Sequence, residues 1–240
     1  MKRTFLNFEM DNSRAASEAF KALRANVQFC GTDVHAIVIT SCLPDDGKST
    51  TSMGLSLALA RAGKKVLLVD ADLRKSVMAR KYSDEVGVMG FSELLSGQAS
   101  LDDVIYATQE ENMKIVFSGQ YPANPAELLS SSALKLFVEE QKSNYDYIII
   151  DTPPLGVVVD AAVVANVCDS AILVVAEGKI KGDFAIGVKE QLEKSGVHII
   201  GVVLNANDKK CKGAIKYRGK YSGKYYGKHY GKYAEEYKAK

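Results

Sequence analysis

Six short apolar runs punctuate the chain: HAIVIT at 35–40, KVLLVD at 65–70, KIVFSG at 114–119, YIIID at 147–151, AILVVA at 171–176 and HIIGVVLN at 198–205. None alternates apolar with polar positions, so each suits a strand covered on both faces. Helical patterns fill the gaps, over 48–62, 125–142 and 183–195. Strands alternating with helices predict an α/β fold, a doubly wound and mostly parallel sheet with right-handed crossovers. Ligands bind such sheets beyond the carboxyl ends of the strands.

Two segments flank this core. Ahead of the first run, SRAASEAFKALRANVQFC reads as one amphipathic helix, because Ala16, Phe20, Leu23 and Val27 follow a four-three-four spacing and share a face. That face suits either the flank of the sheet or a subunit contact. Beyond Asn207 aliphatic residues nearly vanish, and glycine returns at 219, 223, 227 and 231, each time followed by lysine. Glycine at that density costs a helix about 1 kcal/mol per residue against alanine. Little apolar surface is left to offset backbone ordering, so the tail is expected to be mobile. The predicted units are an N-terminal helical oligomerisation segment over 1–34, a core domain over 35–208 and a flexible tail over 209–240.

Composition changes this picture only at the tail. Apolar residues make up 47% of the 240 and charged residues 25%, the balance of a globular protein that can bury a full core. The net charge of +2 conceals an asymmetry: residues 216–240 carry seven lysines and one arginine against two glutamates, a net +6 that leaves −4 for the remainder. The cysteines at 30, 42, 168 and 211 show no CxxC or metal-ligand spacing, and they read as reduced thiols of a cytosolic protein. No signal-peptide core opens the chain, and no apolar run reaches the ~20 residues of a membrane span. LGVVVDAAVVANVC comes nearest, and Asp160 interrupts it.

The chemistry gathers at strand ends. VITSCLPDDGKSTT follows the first strand and opens a helix. A helix N-terminus presents backbone N–H groups, and with a lysine it cradles the phosphates of a nucleotide. Lys48 is that lysine, and Ser49 is placed to ligate Mg²⁺. Asp46, Gly47, Lys48, Ser49 and Thr50 form the candidate nucleotide loop, with Asn205, at the end of the last strand, a candidate contact to the nucleoside. The first glycine of the phosphate-loop pattern is replaced by Cys42, and charge pattern does not account for Asp45 and Asp46. VLLVDADLR ends a strand with Asp70 and Asp72, and YIIIDTPP ends another with Asp151. Three carboxylates on strands able to lie beside the loop can hold a metal or orient a nucleophile.

These motifs resemble those of the bacterial tyrosine kinases of capsule and exopolysaccharide systems, a branch of the deviant phosphate-loop ATPases. EAFKALRAN at 18–26 is similar to that family's N-terminal helix motif, ITSCLPDDGKST to its Walker A, VLLVDADLR to its Walker A′, and YDYIIIDTPP followed by DAAVVA to its Walker B region. SGQYPANPAELLSS at 118–131 resembles its spacer segment. Departures are Cys42 and Asp45 in the loop, and Lys21 and Ala25 in the helix motif. Partitioning and cell-division-site ATPases share the sheet and the acidic positions, but carry a signature lysine five residues before the loop lysine, where Leu43 stands here.

The resemblance implies an ATP-dependent protein-tyrosine kinase using ATP and Mg²⁺. Lys48, Asp70 and Asp72 would be catalytic, with Asp70 accepting or orienting the tyrosine hydroxyl, although Asp70 and Asp72 could exchange roles. Ser49, Asp72 and Asp151 would hold the metal. Glu18, Lys21, Arg24 and Asn26 would line subunit contacts in a ring. It further implies a transmembrane adaptor that activates the kinase, a cognate tyrosine phosphatase, and a cytoplasmic location at the inner face of the membrane through the adaptor.

Seven of the twelve tyrosines (Tyr217, Tyr221, Tyr225, Tyr226, Tyr230, Tyr233 and Tyr237) stand in the tail. Basic residues interleaved with aromatics could bind single-stranded nucleic acid or anionic lipid. Beside a kinase-like site the expected role is phosphate acceptor in trans, regulating polysaccharide synthesis and export, with no nucleic acid as partner. Seven phosphotyrosines would take the tail from +6 to roughly −4.5 to −8. The readings from other classes are a positioning ATPase without kinase activity and a nucleic-acid-binding module.

Overall fold

The computed structural model describes residues 2–4, 14–83 and 87–205, and the tail with its tyrosine cluster lies outside them. The first half holds β1 (Lys2–Arg3), α1 (Arg14–Phe29), β2 (Ala36–Ser41), α2 (Lys48–Ala60), β3 (Val66–Asp70) and α3 (Met78–Tyr82). Then come α4 (Phe91–Leu95), α5 (Leu101–Val104), β4 (Ile105–Ala107), β5 (Met113–Val116), α6 (Pro125–Leu129) and α7 (Ser132–Lys142). The described part closes with β6 (Tyr147–Asp151), α8 (Asp160–Ala165), β7 (Ser170–Ala176), α9 (Gly182–Glu193) and β8 (His198–Asn205).

The strands form one sheet in the order β1-β4-β5-β3-β6-β2-β7-β8, parallel except for the antiparallel β4–β5 pair. Every residue of β2, β3 and β6 is buried. Successive side chains point to opposite faces, and both faces are filled. On one, Val38, Val69, Ile150 and Leu173 pack with Phe137 of α7, Val164 of α8 and Leu192 of α9. On the other, Ile37, Ile39, Leu68 and Ile149 pack with Met53, Leu55 and Leu59 of α2. Each fully buried aliphatic side chain contributes roughly 1.5–3 kcal/mol, so a polar residue at any of these positions is costly.

Helix α1 lies on α2. The Phe20 ring sits so close that a Cβ on Gly54 would fall 2.3 Å from it, and Val27 is buried in the same cluster. The expected apolar face is therefore spent on the sheet's flank.

Three expectations need correction. Among the described residues the last strand is not covered on both faces: β8 is an edge paired only with β7, and Val202 and Leu204 remain 57% and 62% exposed. The helical stretch 125–142 is two helices, parted where Ser131 turns extended (ψ 157°) before α7. Two strands escaped the hydrophobic pattern, β1 and β4, because two and three residues are too short to carry one.

Candidate active site

The strand order decides the site. β3, β6 and β2 lie side by side, so the phosphate loop after β2 and the acidic tips of β3 and β6 meet at one sheet edge. Asp70 and Asp151 are direct register partners across β3 and β6.

The loop is held from inside. Ser41 donates from Oγ to the Leu43 carbonyl at 2.8 Å, and the Leu43 N–H donates to Asp46 Oδ2 at 2.9 Å. Asp46 is fully buried, with Lys179 Nζ 3.5 Å from its other oxygen. Its carboxylate thus faces the loop interior, and any contact it makes with phosphate would be through its backbone. Asp45 has φ +60°, the left-handed region that Asp tolerates better than most residues, and Lys179 also donates to its carbonyl. The two acidic residues that charge pattern left unaccounted for are backbone devices.

Gly47 adopts φ +95° and starts α2. Asn205 donates from Nδ2 to the Asp46 carbonyl at 3.0 Å, bracing the loop. Opposite, the turn after β6 packs on it: Thr40 Oγ donates to the Pro153 carbonyl at 2.8 Å, and a Cβ on Gly156 would lie 2.1 Å from the Cys42 carbonyl. Cys42 itself is buried, and burial, then Asp46, push its thiol up to about 12. It occupies the vacated glycine position as a small apolar group.

The carboxylates converge on Lys48. Its Nζ lies 3.2 Å from Asp72 Oδ2, 3.7 Å from Asp151 Oδ2 and 3.2 Å from Ser49 Oγ. Asp72 accepts the Lys75 N–H on its other oxygen at 2.9 Å, which shapes the turn after β3. Ser52, one turn into α2, donates to Asp151 Oδ1 at 2.9 Å. Asp70 accepts from the Ser76 hydroxyl, and burial followed by the nearby Asp151 charge pushes its pKa up to about 8. Burial likewise raises Asp151, against the pull of Lys48.

Several residues escaped the sequence reading. Ser52 and Ser76 reach the carboxylates, and Lys179 holds the loop. Arg74 grips the buried Asp160 with two bonds of 2.6 and 3.0 Å, tying the turn after β3 to α8. For that pair a signal existed, an acidic residue breaking an apolar stretch. For the serines none did, since only the crossing of α2 over the sheet and the path of the turn bring them in.

A cleft of ≈ 570 Å³ opens here, bounded by Pro44, Asp45 and residues 47–50, by Lys75, Val77, Arg80 and Lys81, and by Asn205. Loop amides at a helix N-terminus, Lys48 and a volume of this order suit a nucleoside polyphosphate. Among the described residues no three His, Cys, Asp or Glu side chains form a preformed metal cage. The donors present, a hydroxyl and carboxylates whose burial leaves them short of positive charge, suit Mg²⁺, which completes its shell with phosphate and water.

The other candidate residues lie apart. On α1, Glu18 and Lys21 pair at 2.8 Å on the exposed surface, Asn26 is exposed, and Arg24 reaches the Ala58 carbonyl at 3.5 Å. No described helix is long and apolar enough to cross a membrane.

A family model described as an AAA domain matches residues 36–193. The tyrosine-protein kinase CpsD of Streptococcus agalactiae serotype III is 44% identical over 197 residues, covering 82% of this chain and 85% of that one. The kinase domain of the Escherichia coli tyrosine kinase ETK superposes with a TM-score of 0.80 at 32% identity, covering 88% of this chain and 83% of that one. The septum site-determining protein MinD of Pyrococcus horikoshii, solved with Mg-ADP, superposes less well, with a TM-score of 0.60 at 31% identity over 71% and 70% of the two chains. With the nucleotide loop, the acidic strand tips and the length of the match in agreement, the chain belongs to the family of bacterial tyrosine-protein kinases.

Proposed function

We propose that the protein transfers the γ-phosphoryl group of ATP to tyrosines of its own tail, supplied by a neighbouring subunit, and so regulates capsular or exopolysaccharide synthesis and export. The observation that carries this reading is the placement of Lys48 between Asp72 and Asp151, beside a loop built for phosphate, in a chain that carries seven tyrosines between 217 and 237.

Phosphoryl transfer needs positioning and neutralisation of charge more than covalent help. The loop amides and Lys48 hold the β- and γ-phosphates. Ser49, Asp72 and Asp151 would hold Mg²⁺, which when bound neutralises charge on the phosphates. The tyrosine oxygen attacks the γ-phosphorus, the bond to the bridging oxygen breaks, and ADP leaves. Asp70 takes or orients the phenolic proton. A carboxyl whose proton affinity is raised by burial suits a phenol of pKa near 10 better than an exposed carboxylate does.

The domain limits proposed from sequence, and a ring contact through Glu18, Lys21, Arg24 and Asn26, belong to the same reading, since three of these four residues are exposed. So do a membrane adaptor as activator, a tyrosine phosphatase as reset, and a peripheral place at the inner membrane face. Leu43 in place of the signature lysine speaks against the positioning ATPase.

The test incubates the purified chain with Mg-ATP, with and without the cytoplasmic segment of an adaptor, and maps phosphate on residues 209–240 by mass spectrometry. Labelling lost in Lys48→Met is the expected result. Consumption of ATP with no phosphotyrosine under either condition overturns the reading.

A further inference from the structure

Three cations of the cleft play no part in the steps above. Lys75, on the turn after Asp72, and Arg80 and Lys81, on α3, border it. Lys81 donates to Thr50 Oγ at 3.2 Å and lies 4.8 Å from the Tyr82 ring centroid, tying α3 to the first turn of α2. Tyr121 shows which space they share with the carboxylates. Tyr121 as a residue is 51% exposed, and its hydroxyl donates to the Ser76 carbonyl at 3.1 Å. Burial, then Asp72 and Asp70, raise its pKa, while Arg80 and Lys75 pull it down. The turn that Tyr121 touches also supplies the Ser76 hydroxyl to Asp70 and the Lys75 N–H to Asp72, so a phenol arriving to meet Asp70 comes in beside this basic stretch.

The tail is uneven in charge where it matters. Tyr217, Tyr221, Tyr225, Tyr226 and Tyr230 have only basic or neutral residues within three positions on either side. Tyr233 and Tyr237 flank Glu235 and Glu236, the only acidic residues of the stretch 209–240.

We propose that Lys75, Arg80 and Lys81 select the acceptor by charge, so that Tyr233 and Tyr237 are phosphorylated first and modification then spreads toward Tyr217. This rests on the reading of the tail as acceptor and adds its order. Lysine-flanked tyrosines bring like charge to the stretch, and the glutamates bring opposite charge. A single pair of charges ~8 Å apart in water changes affinity about twofold, and less in salt. Two glutamates facing three cations then favour the two C-terminal tyrosines on the order of 3- to 10-fold. Each phosphate adds roughly −1.5 to −2 charge. The next tyrosine upstream of Tyr237, Tyr233 and Tyr230 stands three or four residues away, so phosphate at one site does for the next what the glutamates do for the first.

The experiment times phosphate occupancy of each tail tyrosine by mass spectrometry, in the full chain with Mg-ATP and an adaptor segment. Tyr233 and Tyr237 are expected to lead at early times, with a lead that shrinks in high salt. Two variants carry substitutions only within the stretch 209–240. Glu235→Gln with Glu236→Gln is expected to abolish the lead. Ser222→Glu with Lys224→Glu, which moves acidic charge beside Tyr221 and Tyr225, is expected to draw early phosphate there. Early phosphate at Tyr217–Tyr226 in the unaltered chain, or an order indifferent to both variants, overturns the selection by charge while the acceptor reading stands. ATP consumed with no tail phosphate in any chain overturns both.

Discussion

Asn205 leans over Gly47: its amide bonds the carbonyl of Asp46, and a Cβ on Gly47 would come within 2.2 Å of its nitrogen. The last strand of the described fold thereby braces the loop that follows the second. Gly47→Ala adds a left-handed strain of about 1–2 kcal/mol to that collision. The expected outcome is nucleotide affinity lowered about tenfold or more with the fold intact, read by titration calorimetry beside a thermal melt. An unchanged affinity would remove the bracing role assigned to Asn205.

Lys48 lies within 4 Å of both Asp72 and Asp151, and all three are buried. Lys48→Met should abolish tail phosphate and also destabilise the protein before any nucleotide is added. Removing one partner of a buried ionic cluster costs about 3–5 kcal/mol, and denaturant unfolding in the absence of ATP measures it. Part of that loss should be recovered in Lys48→Met with Asp72→Asn, which removes one of the stranded charges.

Asp169 links strand to helix away from the active site. Its carboxylate accepts the N–H groups of Ala36 at 2.7 Å and His35 at 3.0 Å, and Lys142 at 2.8 Å. Burial raises its pKa, but the Ala36 N–H, Lys142 and the His35 N–H outweigh that and leave it lowered. A lowered folded pKa contributes stability that is present above the unfolded value of about 3.9 and lost as pH falls through the folded one. Asp169→Asn should therefore cost about 1–3 kcal/mol at pH 7, with the difference closing below pH ~4. Chemical unfolding across that range checks it.

Cys42 and Cys30 should part company toward alkylating agents. With its thiol near 12, Cys42 is thiolate in roughly one molecule in ten thousand at pH 8, and it is buried. Cys30 is exposed. Iodoacetamide followed by peptide mapping should modify Cys30 in the native protein and reach Cys42 only after unfolding. Native-state modification of Cys42 would contradict its burial beneath the loop.

Arg74→Ala should detach the turn after β3 from α8. It strands the fully buried Asp160, so a loss of about 3–5 kcal/mol is expected. Arg74→Lys restores the charge without the two-pronged geometry and should recover only part of it, as parallel melts would show.

Much of this was legible in the order of residues. Buried parallel strands are apolar throughout, so KVLLVD and YIIID declare themselves without partners. A lysine and a serine after a strand mark a phosphate loop because helix N-termini attract anions wherever they occur. Acidic residues at strand ends could be read as converging, since doubly wound sheets gather their carboxyl ends at one edge. The covering of each strand was less legible: HIIGVVLN looks like its interior neighbours, and only its place at the margin of the sheet leaves Val202 and Leu204 in water.

Local pattern could say nothing of which way the polar groups turn. Asp46 stands in the nucleotide motif, yet its carboxylate closes the loop on Leu43 and Lys179, a residue 133 positions further on. Ser52 and Ser76 gain their carboxylate partners from how α2 crosses β6 and how the turn after β3 folds back. Periodicity and propensity act over neighbours along the chain, and they set the elements and their polarity. Hydrogen bonds and ion pairs between distant segments depend on strand order and helix packing, so their partners exist only once the sheet has assembled.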